Sequence, residues 1–299
     1  MASYFDAISG NRIKSILLMM VFSALFFLIV YVFAEFFGGG PFALVIGAII
    51  IVAYAAFTYF YGSAMVLKIS RAQKADRKDY TYLFDTIEGL ALAGQMPMPA
   101  VYIIPDPSPN AFATGRDKTH ASVAVTSGLL SMMNKRELEG VLAHEMSHVY
   151  NSDILFMMVA VVFAGAIGLM AAVMRNMFFF GGIGTGRNRD GGAIVVIGLV
   201  ISFLAPLFAL LIRLAISRRR EYMADANGAR MIRDPEALAS ALTKIRDYTA
   251  KPIARPVAAA NDITASLYFS NPLSAKSVTN LFSSHPPIDE RIDRLKHMY

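Results

Sequence analysis

Four apolar stretches constrain this chain more than anything else in it. They run over residues 16–37, 42–67, 154–174 and 191–212; Glu35 lies near the end of the first, and the others carry no charge. Each meets the roughly 20-residue length that a helix needs to cross a bilayer. The first two are separated only by Gly38-Gly39-Gly40-Pro41, so they predict a tight helical hairpin. The chain as a whole is 56% hydrophobic and 17% charged, against about 25% charged in ordinary soluble domains. The first run is too long for a cleaved signal sequence and reads as a retained anchor.

The basic residues set the expected orientation. Arg12 and Lys14 precede the first span, Lys68, Arg71, Lys74, Arg77 and Lys78 follow the second, and Arg213 and Arg218 to Arg220 follow the fourth. By the positive-inside rule the N-terminus, the segment 68–153 and the C-terminus face the cytoplasm. Arg175, Arg187 and Arg189 between the last two spans weaken that signal, and whether both cross fully stays open. The net charge of +6 is explained by these flanks and calls for a lipid bilayer, not nucleic acid, as partner.

The expected division is a hairpin at 1–67, a first polar part at 68–153, a second hairpin at 154–216 and a second polar part at 217–299. The two polar parts together make one ordinary domain. A two-pass hairpin returns the chain to the side it left. Helices are predicted at 80–94, 134–151, 221–232, 235–248 and 288–298, and strands at 101–104, 111–114 (a short edge strand) and 121–126. Asn134 followed by Glu137 resembles a capping box. The glycine-rich run 181–192 lacks the lysine of a phosphate loop and reads as a connector.

The chemistry lies in His144-Glu145-Met146-Ser147-His148. On a helix, positions i and i+4 share a face, so both imidazoles can bind one ion. Glu145 is placed to reach a water on that ion. Cysteine is absent, so any metal is held by His, Asp or Glu. Catalytic zinc usually has three protein ligands. Glu221, in Glu221-Tyr222-Met223-Ala224-Asp225, follows the fourth span as His148 precedes the third, so a hairpin brings it close. Asp225, four residues on, can orient a ligand imidazole through its other ring nitrogen.

With Asn110-Ala111-Phe112-Ala113-Thr114-Gly115, Asn151, Asp153, Ser284-His285-Pro286-Pro287 and Arg291, these motifs resemble the M48 family of zinc metallopeptidases across nearly the whole chain. The resemblance implies an α-helical membrane protein bearing an α+β zincin-like (gluzincin) peptidase domain. It has four transmembrane helices, a small sheet with an edge strand, an HExxH helix and a glutamate helix. It implies one zinc ion per subunit, held by His144, His148 and Glu221, with Glu145 as catalytic base. It further implies an endopeptidase of the bacterial inner membrane that cleaves misfolded or damaged membrane proteins on the cytoplasmic side. Membrane chaperones or other membrane proteases are then candidate partners. His285, stiffened by two prolines, is the candidate oxyanion donor, and Asn110 to Ala113 the candidate edge for binding a substrate strand.

Plainer readings stand beside these. Glu221 can pair with Arg218, Asp225 can serve only its own helix, and His285 can be a turn residue. Asn151 and Asp153 read first as the end of the HExxH helix, with support of a ligand by Asp153 the lesser reading, and Arg218 to Arg220 read as the flank of a span. His120 and His297 show no evident partner. A membrane transport or metal-sensing protein with a non-catalytic HExxH helix is the alternative class, against which the intact Glu145 argues. A prenyl-protein protease is the nearer rival.

Overall fold

The computed structural model describes residues 40–163, 218–251, 267–269 and 286–298, with isolated positions at 257, 258 and 165 and between 13 and 31. The fourth apolar stretch, the glycine-rich run, the later part of the third stretch and His285 lie outside the described residues.

A long apolar helix α1 (Gly40–Ile69) comes first, followed by β1 (Gln73–Lys74), α2 (Thr81–Ala93), β2 (Ala100–Ile104), β3 (Ala111–Gly115), β4 (Ala121–Thr126), α3 (Ser127–Met132) and α4 (Lys135–Tyr150). A further helix α5 (Asp153–Phe163) leaves α4 at 85°. Further along the chain lie α6 (Arg218–Ile232), α7 (Pro235–Thr249) and α8 (Ile288–Lys296). Within α1, Leu44–Ile69 is long and apolar enough to cross a membrane.

The four strands are ordered β1-β2-β4-β3. β2 and β4 run parallel, and β3 runs antiparallel to β4 at the sheet's edge. Side chains alternate between faces along a strand, and both faces here are covered. Val101, Ile103, Ala111, Ala113, Val123 and Val125 pack with the helices α2, α4 and α7. Ile104, Phe112 and Ala124 pack instead with Val66 and Leu67 of α1 and residues 155–163 of α5. The sheet is therefore sandwiched between α2, α4 and α7 on one face and the apolar helices α1 and α5 on the other. This explains why β3 and β4 are buried along their whole length, where a sheet with one solvated face would alternate.

Helix α4 is the central strut. The capping box predicted at its start is present: the Asn134 side chain accepts from the Glu137 N–H while the Glu137 carboxylate accepts from the Asn134 N–H. Glu137 also accepts from Lys244 Nζ at 2.6 Å and Ser240 Oγ at 2.8 Å, tying α4 to α7. Two glycines let neighbouring helices reach the backbone of this one. A Cβ on Gly140 would stand 2.8 Å from Leu238 N, and one on Gly228 3.0 Å from His144 N. Gly228 thus brings α6 against the very residue that opens the HExxH motif.

The α4–α5 bend is local. Asn151 caps α4, and Ser152 adopts a left-handed φ of 59°, a conformation that polar residues take at turns. The chain then restarts as α5 with Asp153 facing back towards α4.

Burial alone would raise the Glu137 carboxyl pKa, but the Lys244, Asn134 and Ser240 hydrogen bonds outweigh it and hold it below its ordinary value. A depressed carboxyl contributes stability above the unfolded-state pKa and loses it as pH falls through the folded one. Glu137→Ala is therefore expected to destabilise the fold by roughly 2 kcal/mol at neutral pH. In thermal unfolding in detergent, the deficit should shrink as the pH is taken below the ordinary carboxylate range.

Candidate metal centre

His144 and His148 lie one turn apart on α4 and are 0% and 3% exposed. Their Nε2 atoms face each other at 3.2 Å. Glu221, near the start of α6, completes the group: one ligand atom from each of the three residues lies within 4.8 Å of the others. Its carboxylate oxygens are 3.7 Å from His144 Nε2 and 3.6 Å from His148 Nε2. More than seventy residues of sequence separate the two halves, and α6 brings them together.

Each imidazole is held from behind by a carboxylate. Asp225 Oδ1 lies 2.9 Å from His144 Nδ1, and Asp153 Oδ2 lies 3.2 Å from His148 Nδ1. Both contacts favour a proton on Nδ1 and leave Nε2 as the inward-facing donor atom. Arg291 of α8, 2% exposed, then clamps Asp225 through Nε at 2.9 Å and Nη2 at 2.7 Å. Its Nη1 donates to the Phe269 carbonyl at 3.1 Å, and the Phe269 ring meets His144 edge-on, centroids 5.0 Å apart.

The electrostatics follow from burial. Desolvation pulls His144 down to about 4, with Asp225 opposing and Arg291 and His148 adding to it. For His148 desolvation also disfavours charge, but Asp153, Glu221 and Glu145 outweigh it and push it up to about 9. Burial raises Glu145 to about 7, helped by Glu221, while His148, Arg291 and a hydrogen bond from the Ala113 N–H pull the other way. Asp225 is held far below the carboxylate range: burial opposes this, but Arg291 and His144 prevail.

This donor set fits a divalent cation. Four buried carboxylates (Glu145, Asp153, Glu221 and Asp225) face two buried guanidiniums, Arg220 and Arg291. Uncompensated charge in a dry interior is costly; with both imidazoles neutral, as metal ligands must be, a dication at the centre would balance the excess. Tetrahedral zinc with bonds of 2.0–2.1 Å places its nitrogen ligands about 3.3 Å apart, close to the 3.2 Å seen between the two Nε2 atoms. The ligand types, two imidazoles and a carboxylate, suit zinc.

Comparison with known proteins agrees with this geometry. A family model described as peptidase family M48 matches residues 77–299. The chain belongs to peptidase family M48. It is 47% identical over 294 residues to a protease HtpX homolog of Thermoanaerobacter pseudethanolicus, covering 96% of this chain and 95% of that one. It is 40% identical over 296 residues to a protease HtpX homolog of Dictyoglomus turgidum, covering 99% and 95%. The crystal structure of S. mikatae Ste24p superposes with a TM-score of 0.52 over 97% of this chain and 67% of that chain. At 18% identity that likeness shows the fold alone. The fold is thus that of an M48 peptidase: helix-rich, with a small sheet and a long apolar helix.

The remaining predicted site residues are placed as follows. Asn110, Ala111, Phe112 and Ala113 lie on or beside edge strand β3 and are 0–3% exposed. The Ala111 carbonyl accepts from the Phe269 N–H at 2.8 Å, so residue 269 already pairs with part of that edge. His285 lies outside the described residues. Three plainer readings are corrected. Asp153 does more than end a helix, since it supports His148. Arg220 is buried and lies over the Phe156 ring at 4.3 Å, so it is not a solvated flank. His120 and His297 do have partners, Asp117 at 2.8 Å and Asp293 at 3.3 Å, although both are exposed.

Sequence spacing gives Asp225 away, because it is i+4 from Glu221 on one helix. Asp153 is i+5 from His148 across a bend, a relation that no helical period signals. Arg291 arrives from α8, and only the tertiary fold links it to Asp225.

Asp225→Asn and Asp153→Asn are each expected to weaken metal binding by roughly 10–100-fold, read by chelator competition. Unchanged affinity in both variants would leave these carboxylates without a supporting role.

Proposed function

We propose that this chain is an integral membrane zinc endopeptidase that cleaves misfolded or damaged membrane proteins at the cytoplasmic face of a bacterial inner membrane. The observation that carries this reading is the convergence of His144, His148 and Glu221 with Glu145, a buried carboxylate on the same helix turn that none of the three ligand positions requires. The peptidase domain comprises 68–153 and 217–299, interrupted by the hairpin 154–216. The four apolar stretches support four spans, and the flanking basic residues support cytoplasmic termini.

His144, His148 and Glu221 would hold the ion. When bound, zinc supplies Lewis-acid chemistry, lowering the pKa of water to roughly 7 and polarising the scissile carbonyl. Glu145 takes the proton of the attacking water at its carboxylate and returns it to the leaving nitrogen. Asp225 and Asp153 keep the two imidazoles in the right tautomer, and Arg291 fixes Asp225 so that this support cannot swing away. His285 precedes the helix that carries Arg291 into the site, which supports its reading as oxyanion donor. The β3 edge at Asn110 to Ala113 supports backbone recognition of an extended substrate, with little demand on side chains. A substrate strand at Ala111 takes the place now held by the Phe269 N–H.

Glu145→Gln is expected to retain stoichiometric zinc and lose at least about a thousandfold in cleavage of an unfolded protein such as casein in detergent. Wild-type rates in that variant would remove Glu145 from the chemistry.

A further inference from the structure

The depth of the active site relative to the bilayer can be read from α1. The helix has 30 residues, about 45 Å at 1.5 Å per residue, against a hydrocarbon core of about 30 Å. One end must stand outside it. The conventional boundary is Lys68, the first charge after the apolar run. The structure argues for a different level.

Arg116, at the end of edge strand β3, places its guanidinium carbon 5.3 Å from the Phe60 ring centroid and 5.9 Å from that of Tyr59. It is followed by Asp117, 3.5 Å from the Arg116 Nε, by Lys118, which lies over the Tyr150 ring at 4.3 Å, and by His120, held by Asp117. A boundary at Lys68 would sink the Arg116 charge on the order of 10 Å into hydrocarbon, because Phe60 lies eight residues, about 12 Å of helix, below Lys68. Charged groups are strongly disfavoured there. Around this level α1 also exposes an aromatic group, Phe57 at 46%, Phe60 at 58% and Tyr61 at 60%, and aromatic rings concentrate at membrane interfaces. The remaining length agrees: Gly40 to Tyr59 is about 30 Å of helix, one hydrocarbon thickness.

We infer that the hydrocarbon boundary lies at the Tyr59–Tyr61 belt, where Arg116 and Lys118 meet lipid headgroups, and that the last two turns of α1 form a stem holding the metal centre outside the hydrocarbon. This rests on the membrane reading above. The stem is built against protein. A Cβ on Gly62 would stand 3.0 Å from Met158 Sδ of α5, and Val66 and Leu67 pack under the sheet. Asp153, which touches His148, lies five residues before Met158, about 7.5 Å further along α5. The consequence concerns substrates. An extended chain advances about 3.3 Å per residue, so a membrane protein is cut in the residues flanking its span, not within the span.

The chain contains no tryptophan, so single-tryptophan variants report depth cleanly. Val52→Trp, Phe60→Trp and Ile69→Trp all replace exposed side chains of α1. The full chain carrying each is reconstituted in phosphatidylcholine–phosphatidylglycerol vesicles whose acyl chains are brominated near the headgroup or near the chain end. The expected result is deep quenching at 52, quenching by the shallow bromines alone at 60, and none at 69. Quenching at 69 equal to that at 60 overturns the inference and restores the boundary to Lys68. Absence of quenching at all three positions, 52 included, shows that α1 does not enter the bilayer and defeats the membrane reading itself.

Discussion

The structure turns on an excess of buried negative charge around two imidazoles. Glu145, Asp153, Glu221 and Asp225 are all withdrawn from water, and each would be costly there without a positive partner. Arg291 and Arg220 supply two charges, and a bound dication would supply the balance. The rest of the local architecture serves this arrangement. The Asn134 and Glu137 cap starts α4 at a defined residue, Gly228 lets α6 touch the backbone at His144, and the left-handed Ser152 returns Asp153 to His148. Loosening any of these leaves charge unpaired in a dry interior, so the fold and the ligand set are specified together.

The sheet links this centre to the apolar helices. One face of β2, β3 and β4 packs towards α4, which carries His144 and His148; the other packs on α1 and α5. Ala113 shows the economy of this: its side chain lies in the helix-side core, while its N–H bonds the Glu145 carboxylate. The strand that holds the Glu145 carboxylate is therefore continuous with the surface seated on the apolar helices. A protease so built has its chemistry fixed relative to the membrane-facing segments, with no flexible linker between them.

Much of this was legible in the sequence, for physical reasons. Local patterns report local structure: the capping residues Asn134 and Glu137, the i,i+4 histidines and the strand at 121–126 all lie where the sequence predicts. Glu221 was legible because it follows the fourth apolar stretch as His148 precedes the third, and an expected hairpin between them would return the chain near its origin. Family resemblance narrowed the chemistry further. What periodicity could not show were relations across a bend or between distant helices. Asp153 lies beyond a left-handed residue that resets the helical phase, and Arg291 meets Asp225 only through packing of α8 on α6. The covered edge at Ala111 was equally hidden, because nothing in residues 267–269 announces a strand partner.

The central claim is that three side chains, His144 and His148 on one side and Glu221 more than seventy residues on, make one metal site. The most direct measurement is the zinc content of purified Glu221→Ala after chelator challenge, set against wild-type protein, with circular dichroism showing that both are folded. The account predicts one zinc per chain in the wild type and almost none in the variant. Full zinc retention in folded Glu221→Ala would contradict it, because the third ligand would then lie elsewhere.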